Sequence, residues 1–229
     1  MKIYSISDLH LSEGDKPMDV FGGNWENYEN MIAQDWKNRV GDDDVVLICG
    51  DLCWAMKIEN AGCLYDYLAA LPGKKIVIRG NHDYWWKSIS AVRDFLPSGC
   101  YALQNDAVKI GDYIFCGCRG WSTGDKNTAE DDRLFAREVL RMGLALDDAK
   151  RIRKENEKII VLTHFPPFDS KRSSNEMTAL FEQNGVTAVV YGHLHGKNIR
   201  ADALVEKNGV KYYLTSCDQV DNKLVEIEV

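Results

Sequence analysis

The chain carries five histidines: His10, His82, His164, His193 and His195. Each stands at or just past the C-terminal end of an apolar run that reads as a β-strand, or in the loop that follows it. Acids and an amide stand beside them. The first run ends in Ser7-Asp8-Leu9-His10, the second in Cys49-Gly50-Asp51 and the third in Gly80-Asn81-His82-Asp83. Residues 158–163 lead into His164, and residues 187–191 lead into Gly192-His193-Leu194-His195. Taken singly, a histidine is usually structural or solvated. Five at strand ends, with Asp8, Asp51 and Asn81 among them, point to one ligand site, because open α/β sheets bind ligands at the carboxyl ends of their strands.

Spacing adds a physical expectation. In Asp8-Leu9-His10 and His193-Leu194-His195 the polar residues are two apart, and extended backbone turns residues i and i+2 to one side. Each pair is expected to aim at a common centre, with its leucine turned to the core. Gly50, Gly80 and Gly192 precede the polar residues, where a strand breaks into a loop and backbones approach closely. The mix of carboxylate, imidazole and amide oxygen suits divalent Mn, Fe, Zn or Co without any thiolate. Seven groups remain when His82 is set aside: Asp8, His10, Asp51, Asn81, His164, His193 and His195. One ion uses three or four, so two divalent metal ions sharing a carboxylate fit the inventory better. Paired cations about 3.5–4 Å apart serve in-line displacement at phosphorus.

The elements that position these residues alternate between short apolar runs and helix-length amphipathic stretches, which is an α/β pattern. Strands are expected at 2–7, 45–49, 75–79, 107–109, 113–116, 158–163, 187–191, 210–215 and 224–229. Helices are expected at 24–40, 58–71, 85–96 and 175–184, and a charged helical segment at about 129–157. The 229 residues are expected to form a single domain over 1–229. Seven cysteines, an odd number without a C-x-x-C pair, read as reduced thiols of a cytoplasmic protein. The N-terminus enters a strand directly, which leaves no room for a signal peptide, and no apolar stretch approaches the roughly 18 residues of a membrane span. A net charge of -7 disfavours a broad grip on nucleic acid. Bound cations would reverse that sign locally and admit a small phosphorylated substrate.

The order of motifs, Asp8-x-His10, Gly50-Asp51, Gly80-Asn81-His82-Asp83, His164 and Gly192-His193-x-His195, resembles the calcineurin-like metallophosphoesterase superfamily, and the text around Trp54 and Trp85-Trp86 is similar to a bacterial subgroup of phosphohydrolases. The resemblance implies an αββα sandwich of two mixed β-sheets flanked by helices. It implies that Asp8, His10 and His195 bind one metal, that Asp51 bridges both, and that Asn81, His164 and His193 complete the second. It also implies a metal-bridging hydroxide as nucleophile, with His82 facing the phosphoryl group as a catalytic acid or transition-state stabiliser. Asp83 either orients His82 or caps the following helix. Purple acid phosphatases carry a tyrosine ligand three residues after the bridging aspartate. Trp54 stands there in this chain, which disfavours a redox-poised iron site of that kind.

Arg119 and Trp121 are candidates for substrate contact, Arg119 through a guanidinium fork on phosphate or, equally, as a surface ion pair. Tryptophans near strand ends, such as Trp25 and Trp54, either stack on a base or pack a lid or core. The arginines of 129–157 read as a solvated helix with local ion pairs, or as a lid. The leading reading is a dinuclear phosphomono- or phosphodiesterase. The alternatives are a nuclease, a metal-free binding scaffold on the same fold, and a structural zinc protein. No basic stripe supports the nuclease, no ligand position is broken as a scaffold would predict, and structural zinc sites favour cysteine-rich tetrahedra.

Overall fold

The computed structural model describes residues 1–12, 17–124, 127–199 and 201–229. The strands are β1 (Ile3–Ser5), β2 (Val45–Ile48), β3 (Lys74–Val77), β4 (Cys100–Ala102), β5 (Asp106–Ile110), β6 (Tyr113–Cys118), β7 (Lys158–Thr163), β8 (Val186–Tyr191), β9 (Leu204–Lys207), β10 (Val210–Leu214) and β11 (Val225–Glu226). The helices are α1 (Tyr28–Arg39), α2 (Gly62–Ala69), α3 (Ile89–Phe95), α4 (Ala129–Ile152) and α5 (Glu176–Gln183). Among the described residues the strands form two mixed sheets, ordered β11-β1-β2-β3-β4 and β5-β6-β7-β8-β10-β9. Strands β1 to β4 run parallel, as do β6, β7, β8 and β10, and antiparallel partners lie at the edges.

Period-two alternation builds the layers. In β2, Val46 and Ile48 face a core shared with Trp36, Leu64, Leu68 and Val92 of α1, α2 and α3, while Val45 and Leu47 face the other sheet. In β7, Ile159 and Val161 face Met142, Ala145 and Phe181 of α4 and α5, while Ile160 and Leu162 meet the first sheet. Helices thus cover both outer faces, and the α/β sandwich expected from the sequence is the observed fold.

Helix boundaries follow local chemistry. The Thr128 side chain accepts from the Asp131 amide and Asp131 returns the bond to Thr128, a capping box that starts α4. Met142, Ala145, Leu146 and Ala149 are the buried stripe of α4 on the second sheet. Helix α3 begins at Ile89 rather than Trp85, because Ser88 is its N-cap, and Trp85 and Trp86 are buried in the turn before it. The stretch 24–40 is broken: a short 3₁₀ turn at Gly23–Trp25 precedes α1. Strands β4 and β9 were not expected. The first is three residues long, too short to show alternation, and the second is an edge strand with exposed Leu204. No described helix is long and apolar enough to cross a membrane.

Candidate metal centre

Because β1, β2 and β3 are parallel, their carboxyl ends open on one edge, and the ends of β7, β8 and β10 open beside them. Hydroxyls knit the seam. Ser7 Oγ lies 2.9 Å from Thr215 Oγ1 and accepts the Cys49 amide at 3.0 Å. The Ser7 amide donates to the Thr215 carbonyl at 2.7 Å, and Ser7 bridges Ser216 in parallel.

The backbone past these ends is not extended. Asp8, His10, Asp51 and His193 have φ of 58°, 45°, 53° and 69°. Left-handed non-glycine residues are uncommon and gather at functional sites. The expectation that each i, i+2 pair shares a centre therefore needs correction. Asp8 and His10 do converge, and Leu9 is buried in the core. His193 and His195 diverge, His195 toward Asp8, His10 and Asp51, and His193 toward Asn81, whose Oδ1 lies 2.9 Å from its Nδ1. Glycine makes the close approach possible. A Cβ on Gly50, which has φ +92°, would stand 2.5 Å from the Gly80 nitrogen and 2.9 Å from His164 Nδ1. A Cβ on Gly80 would collide with the Asp51 carboxylate and amide.

Two groups of donors result. Asp8, His10, Asp51 and His195 offer ligand atoms all within 4.8 Å of one another. On the other side, Asn81 Oδ1 lies 2.6 Å from His164 Nε2. Asp51 Oδ2 sits between the groups, 3.6 Å from His10 Nε2 and 3.6 Å from His164 Nε2. It is buried without a hydrogen-bond partner, as are both ring nitrogens of His10, and buried polar atoms left in that state need a further partner.

The His164 ring carries its own argument. Nδ1 lies 2.8 Å from the Cys49 carbonyl oxygen, which only accepts, so Nδ1 holds the proton. Burial pushes the His164 pKa down to about 3, so the ring is neutral near neutral pH and Nε2 presents a lone pair. That lone pair faces the amide oxygen of Asn81. A cation held by both groups would satisfy them, and the Nδ1 bond would then be the usual outer support of a ligating imidazole.

Burial, then the neighbouring histidines, hold His10 well below the ordinary imidazole range. Burial also lowers His193 to about 3 and shifts His195 downward against the pull of Asp218. Burial raises Asp51 to about 6, opposed by the His82 amide. It raises Asp8 well above the usual carboxylate value, with Asp51 adding to the effect. Neutral imidazoles and carboxylates deprived of water are a donor set that divalent cations fit.

The residues assigned to chemistry divide. The His82 ring lies at the rim, 4.7 Å from Trp54 and 5.7 Å from His10 between ring centroids. Its Nδ1 is 3.3 Å from the Tyr84 hydroxyl. Asp83 corrects both expectations for it. It is fully buried and accepts the amides of Asp51 (2.9 Å), Leu52 (2.8 Å) and Gly80 (2.7 Å) and the Trp85 indole N–H (3.0 Å). It neither orients His82 nor caps α3. Its burial among backbone donors makes it a brace between two site loops, and burial lifts its pKa to about 6.

Trp54 stacks on His10 at 4.7 Å and 20°, and Trp25 meets His10 and His195 edge-on at 6.0 and 5.9 Å. These tryptophans wall the donors. Trp121 donates to Asp131 at 3.1 Å, and the Arg119 guanidinium lies 4.8 Å over its ring. The Arg119 carbonyl accepts the His164 amide at 3.0 Å. Asp218, missed in the sequence, is buried beside His195 and accepts the Gly196 amide at 2.7 Å. It follows the parallel strand β10, the same signal that marked the histidines, but the run had no histidine to draw notice. The arginines of α4 mostly pair locally, Arg133 with Glu130 and Arg151 with Asp148, and the helix lies on the sheet rather than over the site.

A two-sheet α/β sandwich carries histidine and carboxylate donors, a candidate metal group, at its joined strand ends. The family model for calcineurin-like phosphoesterases matches residues 1–197, and the chain belongs to that family. An uncharacterized protein, MJ1445, of Methanocaldococcus jannaschii is 34% identical over 84 residues, 36% of this chain and 47% of that protein. The match thus spans about half the length of that relative. Two solved structures share the fold. TT1561 of Thermus thermophilus aligns with a TM-score of 0.61 at 13% identity, covering 99% of this chain and 97% of that one. AQ665 of Aquifex aeolicus, a protein of unknown function, aligns with a TM-score of 0.51 at 14% identity, covering 98% and 95%.

Proposed function

We propose that this chain hydrolyses a small phosphate ester, mono- or diester, with two divalent cations of the Mn, Fe, Zn or Co kind. Asp8, His10 and His195 hold one, Asn81, His164 and His193 hold the other, and Asp51 is shared. The observation that carries this reading is Asp51 Oδ2, buried, unpaired and 3.6 Å from an imidazole nitrogen of each group. Bound ions of this kind activate water for attack on phosphorus and neutralise the nonbridging oxygens.

The chain's own residues do the rest. The imidazoles of His10, His164, His193 and His195 stay neutral and available as donors. His82, at the rim, donates a proton or hydrogen bond to the leaving oxygen. Trp25 and Trp54 keep bulk water from one side of the site. A net charge of -7 favours a small ester over a nucleic acid.

A screen of the metal-reconstituted protein against p-nitrophenyl phosphate, bis-p-nitrophenyl phosphate and cyclic nucleotides tests the reading. Turnover that requires added metal is expected, and Asp51→Asn loses most of it together with one metal. Protein that never retains more than trace metal and cleaves no ester overturns the assignment.

A further inference from the structure

A second cluster of charge lies outside the metal donors. A cavity of about 230 Å³ is lined by Arg79, Arg119, Arg137, Arg141 and Glu138, with Gln104 beside them. These arginines come from three separate places: the end of β3, the end of β6, and one face of α4 at i, i+4. Four arginines and one glutamate line this cavity, in a chain whose overall charge is negative.

Glu138 does not neutralise the cluster. Its carboxylate is buried, and Oε1 alone takes Arg141 at 2.6 Å and Arg137 at 3.2 Å. Arg79 Nε is buried without a hydrogen-bond partner. Burial lowers the Arg119 pKa; Glu138 opposes this, and Arg79, Arg137 and Arg141 add to it. Like charges gathered into a concave, partly buried place call for a multivalent anion, and guanidinium forks match phosphate geometry.

Two of the lining residues, Arg79 and Arg119, belong to segments that lead to the metal donors. Arg79 stands two residues before Asn81. The Arg119 carbonyl caps the His164 amide, and its positive charge bears on Asp51 and His164.

We propose that Arg79, Arg119, Arg137 and Arg141 form a subsite for a second, non-scissile phosphate, so that the preferred substrate carries two phosphoryl groups. The anion site stands on its own geometry; its part in substrate choice rests on the phosphoesterase reading. It supplies what the metal donors do not, a means of telling a doubly phosphorylated molecule from a simple monoester.

The test begins with the full chain in excess chelator, titrated with inorganic pyrophosphate by calorimetry. One-to-one binding is expected, weakened at least tenfold in Arg137→Lys/Arg141→Lys, which keeps charge beside Glu138 but loses the forks. Glu138→Gln is expected to tighten binding severalfold, a change that a purely structural ion pair does not produce. No binding by the wild-type chain, or equal binding by all three folded proteins, overturns the site.

In a second arm, with metal restored, a short-chain bisphosphate is expected to compete with p-nitrophenyl phosphate at least tenfold better than its monophosphate. Equal competition overturns the assignment to substrate and leaves a site for free phosphate. If no ester is hydrolysed at all while pyrophosphate still binds in chelator, the phosphoesterase reading fails and the anion site survives.

Discussion

Asp83 accepts the backbone amide of Leu52 at 2.8 Å. With its bonds to the Asp51 and Gly80 amides, it ties the loop after β2 to the loop after β3. Asp51 and Asn81 therefore depend on a carboxylate whose partners are backbone amides and an indole N–H. Asp83→Asn replaces one acceptor oxygen with a donor that faces N–H groups. A loss of roughly 2–4 kcal/mol follows from unsatisfied buried amides, together with weaker metal retention. Thermal unfolding and metal content check this. A variant of unchanged stability and metal content but lower turnover contradicts the bracing role.

His82 leaves the donor groups intact when it is removed. His82→Ala is expected to keep metal content and to slow turnover by about tenfold to a thousandfold, the range for lost acid or electrostatic assistance. Elemental analysis beside steady-state kinetics separates the two effects. Full turnover refutes the role.

Gly80→Ala places a methyl against the Asp51 carboxylate and amide, and backbone on both sides resists the shift. Metal affinity is expected to fall at least tenfold. The same change at Gly99, where an added Cβ meets nothing within 4 Å but φ is +80°, costs only backbone strain and leaves metal binding unaltered. Parallel metal titrations distinguish steric displacement of Asp51 from general destabilisation.

Metal binding should weaken in acid through the carboxylates rather than the imidazoles. His164 and His193, held at about 3, are neutral throughout the mildly acid range. Asp51, at about 6 in the metal-free chain, is ionised above that pH and protonated below it. Below about 6 each binding event must expel its proton, and affinity falls by about tenfold per pH unit for one proton. The groups that act on Asp51 include Asp8, His82 and Arg119. Calorimetric titration between about pH 5 and about pH 8 is the check, and an affinity flat across that range contradicts it.

Much of the architecture was legible because strand runs such as Val45–Ile48 and Lys158–Thr163 are apolar on both faces. The donors were legible because histidine is scarce in this chain and stands at strand ends. What failed was local backbone. Period-two reasoning assumed extended chain at Asp8–His10 and at His193–His195; Asp8 and His10 converge all the same, whereas left-handed φ at His193 accompanies the divergence of His193 and His195. Asp83 could not be placed from sequence, because its partners include amides some thirty residues away. The arginine cavity was equally hidden. Arg137 and Arg141 are one helix turn apart, but Arg79 and Arg119 follow strands of different sheets, and only tertiary packing brings the four together.

The seam between the sheets has a mechanical consequence. Asp8, His10, Asp51 and Asn81 hang from one sheet, and His164, His193 and His195 from the other. A cation gripped by both sets would act as a rivet through the sandwich edge, beside the stitches that Ser7, Thr215 and His164 already make between the halves. Loading would then stiffen that edge first. Amide exchange at Ser7 and Thr215 would slow well before the far ends of the strands respond.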